Sequence, residues 1–215
     1  MVTMKTLASR EEWLEHRKRI GGSDAAAVVG LNPYMSNTDL FEIKTGQRQQ
    51  EDISEKSYVK YGTEAEKHLR ELFKLDFPQY KVEYQENNIW INDKYPFAHA
   101  SLDGWITDQD GRKGIWECKT TEIMSPTQKA KWDDRIPDNY YLQVLHYLLV
   151  TEFEFVVLKA QMKYRRGGNV TLVSKHYHIE RAEVEEDIKF LAEAEKDFWE
   201  CVKADKKPAL ILPNI

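Results

Sequence analysis

Two carboxylates and a lysine have a spacing that suits metal-assisted chemistry. Asp103 lies in the segment Ser101–Gly104, and Glu117 and Lys119 follow further along the chain. Because Glu117 and Lys119 are two positions apart, their side chains project from the same face of a β-strand. Two carboxylates beside an ammonium suit a hard divalent cation and metal-assisted attack of water on a phosphodiester. The alternative is an exposed pair of opposite charges beside an Asp-Gly turn, because single Glu-x-Lys sequences occur by chance in charged chains.

The residue types indicate a role for each member of this group. Asp103 and Glu117 are expected to bind Mg²⁺, and the backbone carbonyl of Cys118 could add a further oxygen ligand. Lys119 could orient or deprotonate the attacking water if the metal and burial lower its pKa. It could instead stabilise the charge that develops on the phosphoryl group, and both roles stay open.

Capping signals and hydrophobic periodicity predict the elements that position these residues. Helices are expected over about 9–19, 23–29, 37–45, 57–75, 127–132, 137–150 and 181–204. Strands, recognised by a period of two, are expected at 80–86, 89–91, 101–107, 113–121, 153–164 and 169–179. Ser23 or Asp24 is expected to cap the second helix. The order of elements predicts a mixed α/β (α+β) fold, in which helices flank a central sheet and an N-terminal helical extension precedes it.

Composition limits the class of protein. The chain has 215 residues, of which 41% are hydrophobic, enough for a buried core. The two cysteines, Cys118 and Cys201, make neither a disulfide framework nor a four-cysteine iron–sulfur or zinc site, and a cytoplasmic location is expected. No apolar run approaches the roughly 20 residues of a membrane helix, and the N-terminus does not read as a secretion signal. The net charge of −5 argues against a passive DNA-coating protein but not against a metal nuclease.

The carboxylates and lysine, with the helix before them, resemble the PD-(D/E)xK nuclease pattern, with Leu102 at the position of its proline. More narrowly, the chain resembles the YqaJ-type phage recombination exonucleases, which are related to bacteriophage lambda exonuclease. The similarity runs from about Trp13 to Val150. The motifs that carry it are Arg19–Ala27, Gly30–Tyr34, Tyr61–Glu66, Asp103 with Glu117–Lys119, and Tyr141–Gln143.

This resemblance implies a restriction-endonuclease-like fold and a Mg²⁺-dependent exonuclease, with one or two ions for which Mn²⁺ would substitute. Such an enzyme degrades one strand of linear double-stranded DNA from its 5′ end and leaves 3′ single-stranded tails for strand annealing. The resemblance also implies a ring-shaped homotrimer that encircles DNA, and a single-strand annealing protein as partner. It predicts one nuclease domain over residues 1–215: a helical part with a 5′-phosphate pocket (1–56), a catalytic core (57–180), and a C-terminal helix and tail (181–215).

Further site residues follow from the resemblance, position by position. Asp103 and Glu117 match the metal ligands of the family, and Lys119 matches its catalytic lysine. Glu66 best matches an acidic residue on the helix before the sheet. Glu64 is the alternative, and the two are too far apart around a helix for both to face the site.

The resemblance also suggests contacts with DNA. Arg17 and Ser23 match positions that hold the 5′-phosphate, and Arg19 is the alternative to Arg17; guanidinium and hydroxyl groups suit a phosphate. Gln143 is expected near the scissile phosphate. The rings of Tyr140 or Tyr141 are candidates beside the site, and Arg165 and Arg166 at a hairpin tip are candidates for a weak contact to the DNA backbone. His99 could bind a metal but is better explained as a structural residue.

Two other functions remain open. A related PD-(D/E)xK endonuclease would cut within DNA and would have no need of a pocket for a 5′-phosphate. A catalytically inactive module would bind DNA ends only, although the intact set of Asp103, Glu117 and Lys119 argues against it. The cysteine count makes a third alternative, an iron–sulfur nuclease, a poor fit.

Overall fold

The computed structural model describes residues 1–16 and 18–212, which form helices around a five-stranded sheet. The helices are α1 (Arg10–His16), α2 (Gly22–Val28), α3 (Asn37–Lys44), α4 (Ser57–Asp76), α5 (Pro126–Ala130), α6 (Asp138–Thr151) and α7 (Glu185–Lys203). The strands are β1 (Val2–Thr6), β2 (Lys81–Glu83), β3 (Asn88–Asn92), β4 (Gly104–Thr107), β5 (Lys113–Ile123), β6 (Phe155–Arg166) and β7 (Asn169–Glu180).

The main sheet has the strand order β2-β4-β5-β6-β7. All of its neighbouring strands are antiparallel except β5 and β6, which run parallel. Parallel neighbours need a long crossover connection, and here α5 and α6 provide it. The predicted mixed α/β fold is therefore confirmed, although β4 is shorter than expected and begins just after Asp103.

The N-terminal extension is not purely helical as predicted. It begins with β1, which pairs antiparallel with β3 from Val2↔Asn92 to Thr6↔Asn88 and forms a separate two-stranded sheet. Most positions of β1 are exposed, so it lacks the alternation of apolar residues that reveals a strand in a sequence.

Helix α6 lies at the centre of the larger apolar core and packs on α2, α7 and the sheet. Small residues let α2 approach it closely: Ala25, Ala26 and Ala27 are buried. At Gly22 there is no space for a side chain, because a Cβ atom there would lie 2.4 Å from the ring of Tyr147. A second apolar cluster, which includes Leu69, Phe73 and Trp116, joins α4 to the opposite face of the sheet.

The first part of the C-terminal tail docks on the body of the domain. The buried side chain of Asn37 donates to the carbonyl of Ala209 at 2.7 Å and accepts from the amide of Ile211 at 3.0 Å. In the described part of the chain, none of the helices has the length and apolar character that crossing a bilayer requires.

Candidate active site

Four charged residues from three elements meet at the end of β4. Pairing of Gly104 with Trp116 places Asp103, just before β4, beside Glu117 on β5. Glu117 and Lys119 share a face of β5, as predicted, and Lys119 Nζ lies 2.6 Å from Glu117 Oε1. Glu66 reaches the same place from α4 and lines a cleft of about 420 Å³ with Asp103 and Lys119. We call this the carboxylate cleft; its lining includes Gly62, Thr63, Glu66, Asp103, Lys119 and Tyr140.

The backbone of β5 orients Asp103. The register between β4 and β5 ends at Gly104↔Trp116, and the amide of Cys118 donates to Asp103 Oδ2 at 2.9 Å. The N–H and C=O groups of one strand residue point to the same side of the strand. The carbonyl of Cys118 therefore faces the side on which Asp103 lies, and its role as a metal ligand stays a prediction.

Burial, together with the proximity of the carboxylates to one another, disfavours their charged forms. Burial, followed by the charge of Asp103, raises the pKa of Glu117 to about 8 and that of Glu66 to about 7. Burial also raises the pKa of Asp103, although Lys119 and the Cys118 amide act in the opposite direction. A cation among these groups would restore their ionised forms, because opposite charge favours a carboxylate over its acid.

The donor set fits a hard divalent ion such as Mg²⁺. Glu117 Oε2 is buried and has no hydrogen-bond partner among the described residues, so one oxygen is available for a ligand. In the present arrangement no three His, Cys, Asp or Glu side chains of the described residues form a closed metal cage. Lys119 supplies the positive charge beside Glu117, and the side chains would have to move to admit an ion.

The neighbouring carboxylates determine the charge of Lys119 in this arrangement. Burial alone would lower its pKa, but the charges of Glu117 and Asp103 outweigh burial and raise the pKa of Lys119. Its ammonium also lies 5.0 Å from the ring centroid of Tyr140. Lys119 is therefore positively charged in this arrangement, and its two predicted roles stay open.

Glu66, not Glu64, faces the other carboxylates. Glu64 is exposed, whereas Glu66 accepts a hydrogen bond of 2.9 Å from the buried guanidinium of Arg70. The same Nη1 atom of Arg70 donates to the carbonyl of Asp103 at 2.6 Å. Arg70 thus connects two of the acidic residues, a contact that sequence reasoning missed. Its spacing of four residues from Glu66 was the signal that could have revealed it.

Ser23 and Gln143 lie together in an adjoining cleft of about 480 Å³. We call it the serine cleft; it shares Ile53, Lys119 and Tyr140 with the carboxylate cleft. The side-chain amide of Gln143 donates to the hydroxyl of Tyr147, one turn further along α6, at 2.7 Å. This hydrogen bond fixes the orientation of the Gln143 amide. The two clefts meet at Lys119, so a group held near Ser23 lies next to the acidic residues.

Asp24, not Ser23, caps α2. Its carboxylate accepts from the amide of Gly21 at 2.9 Å and lies 2.7 Å from Lys44 Nζ, and both side chains of this ion pair are buried. Ser23 is exposed and lines the serine cleft. The ion pair also connects α2 to α3. No sequence motif predicted it, because the two residues are far apart along the chain.

Several predicted residues do not join this group. The hydroxyl of Tyr141 donates to Asp187 on α7, so its predicted contact with DNA at the site is not supported, and Tyr140 is the tyrosine that lines both clefts. Arg165 pairs with Glu122. Along β6, Arg165 lies about 17 Å from Ala160, the residue that pairs with Lys119. Arg166 is exposed at the same tip.

The other candidates lie apart from the carboxylates or cannot be placed. His99 is buried, with its ring against Gly21 and its carbonyl 2.8 Å from His146 Nε2, as expected of a structural residue. Arg17, the predicted ligand of a 5′-phosphate, lies outside the described residues. The carbonyl of Arg19 accepts from Lys44, and the side chain of Arg19 does not line either cleft as described.

Comparison with known structures supports the fold. The alkaline exonuclease LHK-Exo from Laribacter hongkongensis superposes with a TM-score of 0.65 at 18% identity, covering 91% of this chain and 93% of that chain. Its complex with dAMP gives a TM-score of 0.57 at 20% identity, covering 91% and 98%. A phage-related exonuclease from Haemophilus somnus gives 0.50 at 12% identity, covering 87% and 96%. At these identities the comparison shows a shared fold, the restriction-endonuclease-like fold expected from the sequence.

Comparison of sequences shows the family. The chain is 37% identical over 206 residues to YqaJ of Bacillus subtilis (strain 168), a curated protein described as uncharacterized. The match covers 94% of this chain but 59% of that relative, so the chain spans less than two thirds of its length. The model of the YqaJ-like viral recombinase domain matches residues 12–154, which include all four charged residues of the candidate site. The chain therefore belongs to the YqaJ-like viral recombinase domain family.

Proposed function

We propose that this chain is a Mg²⁺-dependent deoxyribonuclease that degrades one strand of linear double-stranded DNA from the 5′ end. Its product would be nucleotides and a 3′ single-stranded tail for recombination by strand annealing. The observation that carries the proposal is the convergence of Glu66, Asp103 and Glu117 around Lys119. Three carboxylates with raised pKa values and an unpartnered oxygen are the donor set that a divalent cation would satisfy.

Each residue of the site has a role in this proposal. Mg²⁺ bound by Asp103, Glu117 and the Cys118 carbonyl, with a second ion near Glu66, would supply an activated water and neutralise the leaving 3′-oxygen. Mn²⁺ is expected to substitute for it. The ammonium of Lys119 would donate to a phosphoryl oxygen as negative charge builds there.

The serine cleft would set the direction of degradation. Ser23 has an exposed hydroxyl, and the amide of Gln143 lies in the same cleft. With Arg17, these groups would bind a 5′-phosphate and place the next phosphodiester beside the carboxylate cleft. Polarity would then come from this anion site and not from the metal site.

Relatives support the same proposal. The family is described as a viral recombinase domain, and LHK-Exo, which shares the fold, is an alkaline exonuclease with a structure in complex with dAMP. By resemblance, we also propose a homotrimeric ring, a single-strand annealing protein as partner, and action in the bacterial cytoplasm. Sedimentation equilibrium of the purified chain would give the mass expected of three copies; a monomer would contradict the ring.

Digestion of linear duplex DNA tests the proposed activity. The substrate carries a 5′-phosphate and is labelled in separate samples at each end; closed circular DNA and Lys119→Ala protein are the controls. Early release of 5′ label as mononucleotides, with the circle intact, is expected. A nicked or linearised circle would instead establish an endonuclease. End binding without cleavage under Mg²⁺ and Mn²⁺ would establish an inactive DNA-end module.

A second experiment tests the anion site. Arg17→Ala and Ser23→Ala are expected to remove the preference for 5′-phosphorylated over 5′-hydroxyl ends. An unchanged ratio of the two rates would place the phosphate elsewhere.

A further inference from the structure

An exposed tyrosine stands at the mouth of the serine cleft. Tyr34 is 92% exposed, yet it lines this cleft together with Ser23 and Gln143. No hydrogen bond, ion pair or ring contact of its side chain occurs among the described residues. A large aromatic ring left in solvent gains nothing for the fold, so its place at a cleft suggests a ligand with an apolar face.

Local hydrogen bonds and a proline restrain the loop that carries Tyr34. The side chain of Asn32 accepts from the amide of Tyr34 at 2.9 Å, and Pro33 fixes the backbone between them. Two residues on, the hydroxyl of Ser36 accepts from the amide of Asp39 at 3.1 Å and caps α3. Little conformational freedom of the backbone would be lost when the ring packs on a ligand.

The rest of the serine cleft suits a nucleotide. Five carboxamide side chains line it, and each can donate or accept hydrogen bonds at the edge of a base. They are Asn32, Gln49, Gln50, Asn139 and Gln143. The three acidic residues of the cleft are already paired, Asp24 with Lys44, Asp39 with Arg48 and Glu51 with Lys56, so they do not repel an anion strongly. The volume, about 480 Å³, lies within the range of small-molecule sites.

We propose that the serine cleft holds the 5′-terminal nucleotide of the degraded strand and that Tyr34 stacks on its base, whichever base it is. This inference rests on the proposed function, since it names the part of the substrate that lies beside the carboxylate cleft. Stacking on an aromatic ring tolerates every base, because every base has a π face. The carboxamides would also accept any of the four bases, because each offers both a hydrogen-bond donor and an acceptor.

The test measures binding without cleavage. A 5′-phosphorylated duplex carries 2-aminopurine as its terminal base, and wild-type protein is added in EDTA. We expect stacking to change the fluorescence of the terminal 2-aminopurine in the complex. Tyr34→Phe keeps the ring and should preserve both this change and the affinity. Tyr34→Leu keeps apolar bulk without the ring and, like Tyr34→Ala, should abolish the fluorescence change and weaken end binding about tenfold.

Two controls make the result specific. Phe190→Ala removes a ring that is 65% exposed on α7, outside both clefts, and should change neither readout. Affinities for duplexes ending in each of the four bases should fall by a similar factor in Tyr34→Ala. A loss confined to one base, or no loss at all, would overturn the proposal.

The outcome is separable from that of the proposed function. Wild-type protein that cleaves DNA while Tyr34→Ala binds ends normally would overturn the stacking role alone. A different result would overturn the nuclease and keep the stacking role. In that case the wild-type protein fails to cleave DNA in Mg²⁺, while the Tyr34→Ala substitution still abolishes end binding and the fluorescence change. Wild-type protein that does not bind ends would overturn both.

Discussion

Arg70 holds Glu66 in place: its Nη1 atom lies 2.9 Å from Glu66 Oε1, one turn along α4. The same atom donates to the carbonyl of Asp103, and the guanidinium stacks 3.7 Å from the ring centroid of Tyr84. A single buried cation therefore fixes the helix that carries one acidic residue against the segment that carries another. Arg70 would act by positioning these ligands, since it need not touch the substrate itself.

Replacing this cation should weaken metal binding. Arg70→Lys cannot keep the two hydrogen bonds and the stacking together, because an ammonium lacks the planar fork. We expect its affinity for Mn²⁺, measured by calorimetry, to fall at least about tenfold. Lys74→Gln, an exposed change on the same helix, should leave the affinity unchanged. Equal affinity of Arg70→Lys and wild-type protein would remove Arg70 from the site.

The two glutamates of α4 should differ in their effects. Glu66→Gln is expected to raise the Mg²⁺ concentration needed for half-maximal cleavage, because Glu66 faces Asp103. Glu64→Gln should have no such effect, because Glu64 is exposed. Titration of Mg²⁺ against cleavage rate checks both variants. The opposite result would exchange their roles.

Loss of Lys119 should abolish catalysis and not binding. We expect Lys119→Ala to reduce cleavage at least about 100-fold, since the variant lacks the charge that faces the phosphoryl group. End affinity in EDTA should stay within about threefold of wild type, because phosphate contacts elsewhere dominate binding. Lys129→Ala, on the exposed side of α5, is the control. Substantial turnover by Lys119→Ala would contradict a catalytic role.

Stability without metal should fall as the pH rises. The pKa values of Glu66 and Glu117 are raised from 4.5 to about 7 and about 8, so the folded state binds protons that the unfolded chain releases. Their contribution is fully present below about pH 4.5 and is lost as the pH rises through about 8. Mg²⁺ should oppose this loss, since it favours the ionised carboxylates. Urea unfolding at several pH values, with EDTA or with Mg²⁺, measures the difference.

Glu117→Gln separates this effect from other titrations. It should flatten the dependence in EDTA, because the amide does not titrate. His146 contributes with the same sign: burial lowers its pKa, but Glu195 outweighs burial and raises it. The part due to His146 should not respond to Mg²⁺. A dependence that Glu117→Gln leaves intact would assign the whole effect to other groups.

The buried pair of His146 and Glu195 should stabilise the core beneath the site. His146 Nδ1 lies 2.7 Å from Glu195 Oε1, and both side chains are fully buried between α6 and α7. Removing one partner leaves a buried charge uncompensated, so Glu195→Gln should cost about 3 kcal/mol of unfolding free energy or more. Glu193→Gln, exposed on the same helix, should cost under about 0.5 kcal/mol. Equal stabilities would show that the pair contributes nothing.

The sequence by itself determined most of the elements and most members of the candidate site. Local signals were sufficient for this. Gly46 marks the end of α3, apolar periodicity reveals α4, and a spacing of two places Glu117 and Lys119 on one face of β5. The strand β1 was missed because most of its positions are exposed, so its sequence lacks the alternation of apolar residues that revealed its partner β3.

Only the tertiary structure decided which charges meet. The packing of α4 places Glu66, and not Glu64, beside the other carboxylates. Asp24 caps α2, so Ser23 stays exposed. Tyr141 bonds to α7 and not to the site. These outcomes depend on which face of each helix is buried and on contacts between distant segments. The fold also set the electrostatics, because burial and proximity raise the pKa values of the acidic residues, and neither can be read from residue types alone.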